Sequence, residues 1–245
     1  MATNHIEAKN DEINKIVLMA GDPLRVKYYA DKFLKNKKLV SKARGILAYS
    51  GKVNELEITL IGHGMGLDSI GIYAFELFKF YNVDLIMRLG SCGSYNKNIN
   101  LYDLIVAKSA YSFSNYGKTY KYSNKTVDAS ESLLKAAWKA LENSNIKKNI
   151  YETTVNSSMW FYDENPEYTP KQYVDKGIDV VEMESYALYI IAKYLKKQAL
   201  TILTVSDNIA TGKKLSIEER EKTFDDMFLF SIKLLEIYKN NGKRQ

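Results

Sequence analysis

The chain has 245 residues, 46% of them hydrophobic, which is enough to bury a sizeable core, and it reads as a single α/β domain over residues 1–245. One cysteine, Cys92, excludes an intrachain disulfide, and two histidines, His5 and His63, exclude a His-rich zinc site, so neither a metal nor a cofactor is expected. The net charge of +6 is spread over helix faces and the 239–244 tail without a basic block, and the apolar runs at 85–89 and 188–192 are too short for a bilayer. No nucleic-acid or membrane partner is expected, and a cytoplasmic location is.

Apolar runs bounded by Gly, Ser or Asp alternate with segments of helical period, predicting an α/β fold around a largely buried sheet. Strands are predicted at 16–20, 46–53, 56–62, 85–90, 104–107, 151–155, 180–182 and 200–206. Helical stripes run through Ile70, Ala74, Leu77, Phe78 and Tyr81, and through Leu133, Ala137, Trp138 and Leu141, with further helices over 184–195 and 224–235. The polar stretches 96–100 and 111–124 read as long loops of the kind that border a site or an interface.

The first chemical signal follows the first strand. In Met19-Ala-Gly-Asp-Pro-Leu-Arg25, Asp22 is placed to cap a helix whose first residue is Pro23. Arg25 then falls in the first turn, where the helix dipole disfavours a cation unless an anion is bound. A plain strand-to-helix turn with a solvated arginine fits the same residues. Gly62-His63-Gly64-Met65-Gly66 also joins strand to helix, but Leu67 breaks the dinucleotide fingerprint, leaving glycines that admit a ligand and Met65 as an apolar contact. His63 reads as a satisfied structural histidine rather than as a base.

Arg88 lies within a buried-type strand, where a charge requires an anion or a carboxylate, and Gly90-Ser91-Cys92-Gly93 offers a small-residue turn whose amides and Ser91 hydroxyl can hold phosphate oxygens. Cys92 reads as buried packing, not as a nucleophile. Val180-Val-Glu-Met-Glu184 runs into an apolar helix and places Glu182 and Glu184 at the mouth of the sheet, where a carboxylate accepts two hydrogen bonds from a vicinal diol; helix capping by Glu184 is the alternative. Asp207 ends the buried strand at 200–206, and Arg220, thirteen residues on and early in the last helix, is close enough to return to the same pocket.

Together G-D-P-L-R, A-R-G, G-H-G-M-G, R-L-G-S-C-G, V-E-M-E and T-V-S-D, in this order, resemble the hexameric, bacterial-type purine nucleoside phosphorylases of the nucleoside phosphorylase-I family, over nearly the whole chain. The resemblance implies a three-layer α/β/α subunit around a distorted, mixed, partly barrel-like sheet, assembled as a trimer of dimers. It implies that Gly21, Arg25, Arg88 and Ser91 bind phosphate, with Arg44 reaching in from a neighbouring subunit. Met65, Val181, Met183 and Glu184, in the run that also holds Glu182, would line the ribose; His5 of the neighbour would approach the 5′-hydroxyl, and Phe161 would stack near the base. Asp207, supported by Arg220, would protonate purine N7 from a desolvated pocket.

Two departures from the family pattern flank the presumed base pocket: Ser157-Ser158-Met159-Trp160 lacks an acidic residue, and Ala210 stands where a basic residue is common. The retained Arg25, Arg44 and Arg88 speak against a hydrolytic methylthioadenosine-type nucleosidase. Residues 161–168 lack the Gln-x-Arg pair that a uridine phosphorylase would carry, and the pairing of Asp207 with Arg220 speaks against a non-catalytic nucleoside-binding protein.

Overall fold

The apolar run Ile16–Ala20 (β1) is buried on both faces and lies between two parallel neighbours, as a strand without polar alternation requires. The computed structural model describes residues 2–142, 146, 148–162, 164, 169–222 and 224–242. After β1 come α1 (Pro23–Phe33), β2 (Lys35–Ser41), β3 (Ala48–Val53), β4 (Leu56–Gly62), α2 (Leu67–Lys79), β5 (Leu85–Ser94), β6 (Leu104–Tyr111), β7 (Thr126–Asp128) and α3 (Glu131–Glu142). The second half adds β8 (Ile150–Ser157), α4 (Pro170–Val174), β9 (Ile178–Glu182), α5 (Ser185–Leu195), β10 (Gln198–Asn208), β11 (Lys213–Lys214), α6 (Ile217–Lys222) and α7 (Asp225–Gly242).

All the strands join one mixed sheet in the order β11-β10-β6-β8-β9-β5-β1-β4-β3-β2, with β7 on β6. A further pairing of β10 with β5 closes β10, β6, β8, β9 and β5 into a five-membered barrel, from which β1, β4, β3 and β2 extend as an open wing. Register shifts at Val205/Asp207, Ala107/Ser109 and Thr154/Val155 supply the local bends that closure needs. Helices α2 and α5 pack on each other and form one outer layer, with α5 against β10 and β6. The opposite layer holds α3 and α7 in mutual contact and α1, whose Tyr29 and Phe33 rings lie 4.8 and 4.4 Å from Phe228 of α7. The α/β/α expectation therefore holds, and no helix among the described residues is long and apolar enough to cross a membrane.

The predicted strands are all present, but several differ in extent. β5 does not stop at Gly90: Ser91 pairs with Thr204, and Gly93 pairs with both Asp207 and Val181. The expected turn at 90–93 is thus a strand held from two sides, whose ladder bonds overcome the weak strand preference of Gly and Ser. Arg220 does not belong to the last helix, since it sits in the separate short helix α6. β2, β7 and β11 were not anticipated, and β2 in particular exposes Lys35–Leu39 along the open edge of the wing, where charge protects an unpaired strand. Trp138, expected in the core stripe of α3, is 46% exposed.

Candidate active site

β1, β4 and β5 run parallel, and β10 runs parallel to β5, so the carboxyl ends of all four open on one rim, the position at which open α/β sheets bind ligands. At the end of β1, Asp22 Oδ1 accepts the Leu24 amide at 2.8 Å and Pro23 opens α1, as the sequence predicts. This cap fixes Arg25 one turn in and leaves it only 6% exposed. Its Nη2 donates to the Arg220 carbonyl oxygen at 2.8 Å, its guanidinium lies 4.8 Å from the centre of the Phe224 ring, and its Nε has no partner among the described residues. Burial works against the charge of Arg25, which an anion in the pocket would relieve.

The sequence demands a carboxylate for Arg88, and the structure supplies two. Nη2 donates to Glu184 Oε2, and Nη1 lies 3.2 Å from Glu182 Oε2 without making a hydrogen bond. The guanidinium folds over Gly90, where any Cβ would overlap it. The two glutamates divide their work. Glu182 accepts from the Glu184 amide at 2.9 Å, from the Ser185 amide at 3.0 Å and from the Ser157 hydroxyl, and so caps α5. Glu184 occupies the N-cap position but makes no side-chain cap; its Oε1 accepts from the Gly66 amide at 2.7 Å. Burial pushes the Glu184 carboxyl above the usual carboxylate range while Arg88 pulls the other way.

His63, at the end of β4, donates its backbone amide to the Ala20 carbonyl oxygen at 2.9 Å. Its ring is fully buried, and neither ring nitrogen reaches a partner at full hydrogen-bond geometry among the described residues, although the nearby backbone of Gly64 and of His63 itself favours an N–H on the ring. Burial first, then the charge of Arg88, holds its pKa well below the ordinary imidazole range.

On the next strand Asp207 Oδ1 accepts from Arg220 Nη2 at 2.6 Å and Oδ2 accepts from the Ser206 hydroxyl at 2.7 Å. Both partners of this ion pair keep 29% of their side-chain surface in solvent. Asp207 is therefore paired with Arg220, and the carboxylate expected in a desolvated pocket is part-exposed in the single chain. Cys92 is buried, and burial pushes its thiol up, which leaves it without thiolate character.

Val181, facing Gly93, and Met183 are half-buried at the rim, as are Gly21 and Ser91. Met65, between β4 and α2, and Phe161, after β8, are 79% and 72% exposed in the single chain. Arg44 and His5 are not in this pocket. Arg44 is exposed in a left-handed turn at φ 56°, and His5 Nδ1 sits 2.7 Å from Glu76 Oε1 on α2, a carboxylate that also accepts from Thr3. Asp163 and 165–168, part of the loop compared for a Gln-x-Arg pair, lie outside the described residues, as do 243–245.

Sequence reading missed Ser157, whose Oγ joins Glu182 to the Tyr186 amide, and Phe224, which lies against Arg25. Ser157 carried a signal, being the first serine of the run in which this chain departs from its relatives; Phe224 carried none.

A family model described as the phosphorylase superfamily matches residues 15–238. The chain belongs to the phosphorylase superfamily. Among its relatives are a DeoD-type purine nucleoside phosphorylase of Mycoplasma genitalium, 42% identical over 95% of this chain and 98% of the relative, and one of Colwellia psychrerythraea, 41% identical over 93% and 96%. Among solved structures the chain is similar to a uridine phosphorylase from Vibrio fischeri, with TM-score 0.84, 25% identity and 98% of each chain covered. The fold is also that of a purine nucleoside phosphorylase from Toxoplasma gondii solved with immucillin-H, with TM-score 0.85 and 18% identity over 98% of this chain and 97% of the other.

Proposed function

We propose that the chain, acting as one domain, is a purine nucleoside phosphorylase: with inorganic phosphate as co-substrate it cleaves purine (deoxy)ribonucleosides reversibly to the free base and (deoxy)ribose 1-phosphate. The observation that carries this reading is the buried pair Arg25 and Arg88: Arg25 Nε, Arg88 Nε and Arg88 Nη1 have no hydrogen-bond partner among the described residues, while Arg88 Nη2 donates to Glu184. A hydrolase needs no such anion clamp, because water carries no charge to neutralise.

Phosphate is itself the nucleophile at C1′, so the protein holds an anion against a ribosyl-cation-like transition state and supplies no covalent nucleophile. Arg25, Arg88, Gly21 and Ser91 hold the phosphate, and Glu184 takes the ribose hydroxyls while Arg88 fixes its carboxylate. Val181, Met183 and Met65 line the sugar and Phe161 covers the base; Glu182 acts from behind by capping α5 and balancing Arg88. Asp207 delivers the proton to purine N7 as the glycosidic bond breaks, and Arg220 stabilises the carboxylate that results.

An oligomer, a hexamer built as a trimer of dimers, completes the site. Support comes from the exposure of Met65 and Phe161, together with the position of His5 and Arg44 outside the pocket of their own chain. The absence of a Gln-x-Arg pair in 161–168 favours purine over uracil. The setting is the cytoplasm, with no nucleic-acid or membrane partner. The test is base release from inosine, adenosine and uridine with and without phosphate. Equal release without phosphate would transfer the chain to the nucleosidases, and cleavage of uridine alone would transfer it to the uridine phosphorylases.

A further inference from the structure

We propose that His63 is the residue that separates phosphate from sulfate in this pocket, its unprotonated ring nitrogen accepting the hydrogen that phosphate carries at neutral pH and sulfate lacks. The inference rests on the phosphorolytic reading above and adds to it a specificity role for a side chain that is otherwise without a task.

The placement comes from the strand ends. The backbone bond from His63 to Ala20 brings the end of β4 beside the end of β1, and the ring stands against Gly21, its Cε1 3.6 Å from where a Cβ at that position would lie. Gly21 and the Arg25 that follows it belong to the anion side of the site, and Arg88 acts on the same ring. A buried histidine ring whose nitrogens reach no hydrogen-bond partner among the described residues is costly, since each unmet polar group forfeits its bonds to water. Arg25 Nε, Arg88 Nε and Arg88 Nη1 are likewise buried without a hydrogen-bond partner among the described residues, and the charges of both arginines act on the His63 ring.

The character of the ring decides what it recognises. Burial, and after it the charges of Arg88 and Arg25, keeps the imidazole neutral, and a neutral imidazole offers one N–H donor and one acceptor nitrogen. The arginines and the backbone amides on the anion side only donate, whereas the Ser91 hydroxyl, like the imidazole, can also accept. A pocket of donors binds sulfate and phosphate alike, because the two share size and acceptor geometry. One fixed acceptor distinguishes them, pairing with the P–OH of hydrogen phosphate and repelling the bare oxygen of sulfate. Arsenate, which also carries a proton at neutral pH, falls with phosphate.

Calorimetric titration of the intact protein with inorganic phosphate, arsenate and sulfate at pH 7 tests the assignment. The expected result is binding of phosphate and arsenate at least about tenfold tighter than sulfate, the scale of one hydrogen bond to a charged group. His63→Leu brings both down to the sulfate level and leaves sulfate unchanged, while His63→Gln, which keeps an acceptor, retains a preference for phosphate. Equal affinity of the unmodified protein for phosphate and sulfate overturns the assignment without any variant, as does a preference that survives in His63→Leu. If His63→Leu fails to fold, the unmodified protein and His63→Gln decide between them. Phosphate binding without preference sinks the role of His63 alone; no binding of any of the three anions, with nucleoside cleavage in their absence, sinks the phosphorolytic reading itself.

Discussion

Glu182 and Glu184, two residues apart, divide one strand-to-helix junction: Glu182 accepts the Ser185 amide at 3.0 Å and caps α5, which releases Glu184 to hold Arg88 and the Gly66 amide. The junction therefore fixes the site and the fold with the same residues. Glu182→Gln places an amide donor among the donors of Ser157, Glu184 and Ser185. It is expected to lower stability by about 1–3 kcal/mol in urea unfolding and to raise the KM for nucleoside. Unchanged stability would mean that the cap lies elsewhere.

Arg88 balances two buried carboxylates. Arg88→Met strands both, with an expected loss of about 3–5 kcal/mol at pH 7 that shrinks toward acid as Glu184, whose carboxyl burial already pushes up, takes up a proton. Arg88→Lys keeps the charge but loses the fork, so it folds and raises the KM for phosphate by about tenfold or more. Gly90→Ala acts on the same group, since its methyl overlaps the guanidinium, and a fall in activity with little change in secondary structure by circular dichroism is expected.

His63 gives the chain a defined acid sensitivity. It is neutral in the fold, while the unfolded chain protonates near the ordinary value of 6.5. Below that pH the unfolded state binds the extra proton, so stability falls as pH falls, by up to about 1.4 kcal/mol per unit. Urea unfolding at a series of pH values should show this slope in the unmodified protein and a slope smaller by one proton in His63→Gln. Identical slopes would place a charged His63 in the fold.

Asp207→Asn removes both the proton donor and the partner of Arg220. Turnover of inosine or adenosine should fall by about 10²–10⁴-fold with phosphate affinity nearly unchanged. Retained turnover for both substrates would remove Asp207 from the acid role.

His5→Ala and Arg44→Ala lie outside the pocket of their own chain, so they should leave folding intact yet raise the KM for nucleoside and for phosphate respectively, about tenfold. Sedimentation at assay concentration should show a hexamer. A fully active monomer would contradict this part of the account.

What the sequence made legible was local or costly. Asp22 and Pro23 announce the start of α1 because capping is a matter of adjacent residues. Arg88 announces a carboxylate because an unpaired buried charge is expensive. What stayed hidden depends on distant partners. Gly90–Gly93 has turn composition and becomes strand only because β9 and β10 flank it. Glu182 and Glu184 are chemically identical, and only the direction of each side chain assigns the cap to one and Arg88 to the other. That the buried His63 ring reaches no hydrogen-bond partner among the described residues is invisible in a motif that reads as a glycine-rich turn.

The most direct test is to follow base release from inosine and adenosine in phosphate-free buffer and again with phosphate, with ribose 1-phosphate measured as the second product. The account predicts negligible release without phosphate and one ribose 1-phosphate for each base with it. Base release that proceeds at the same rate without phosphate and yields free ribose would contradict it.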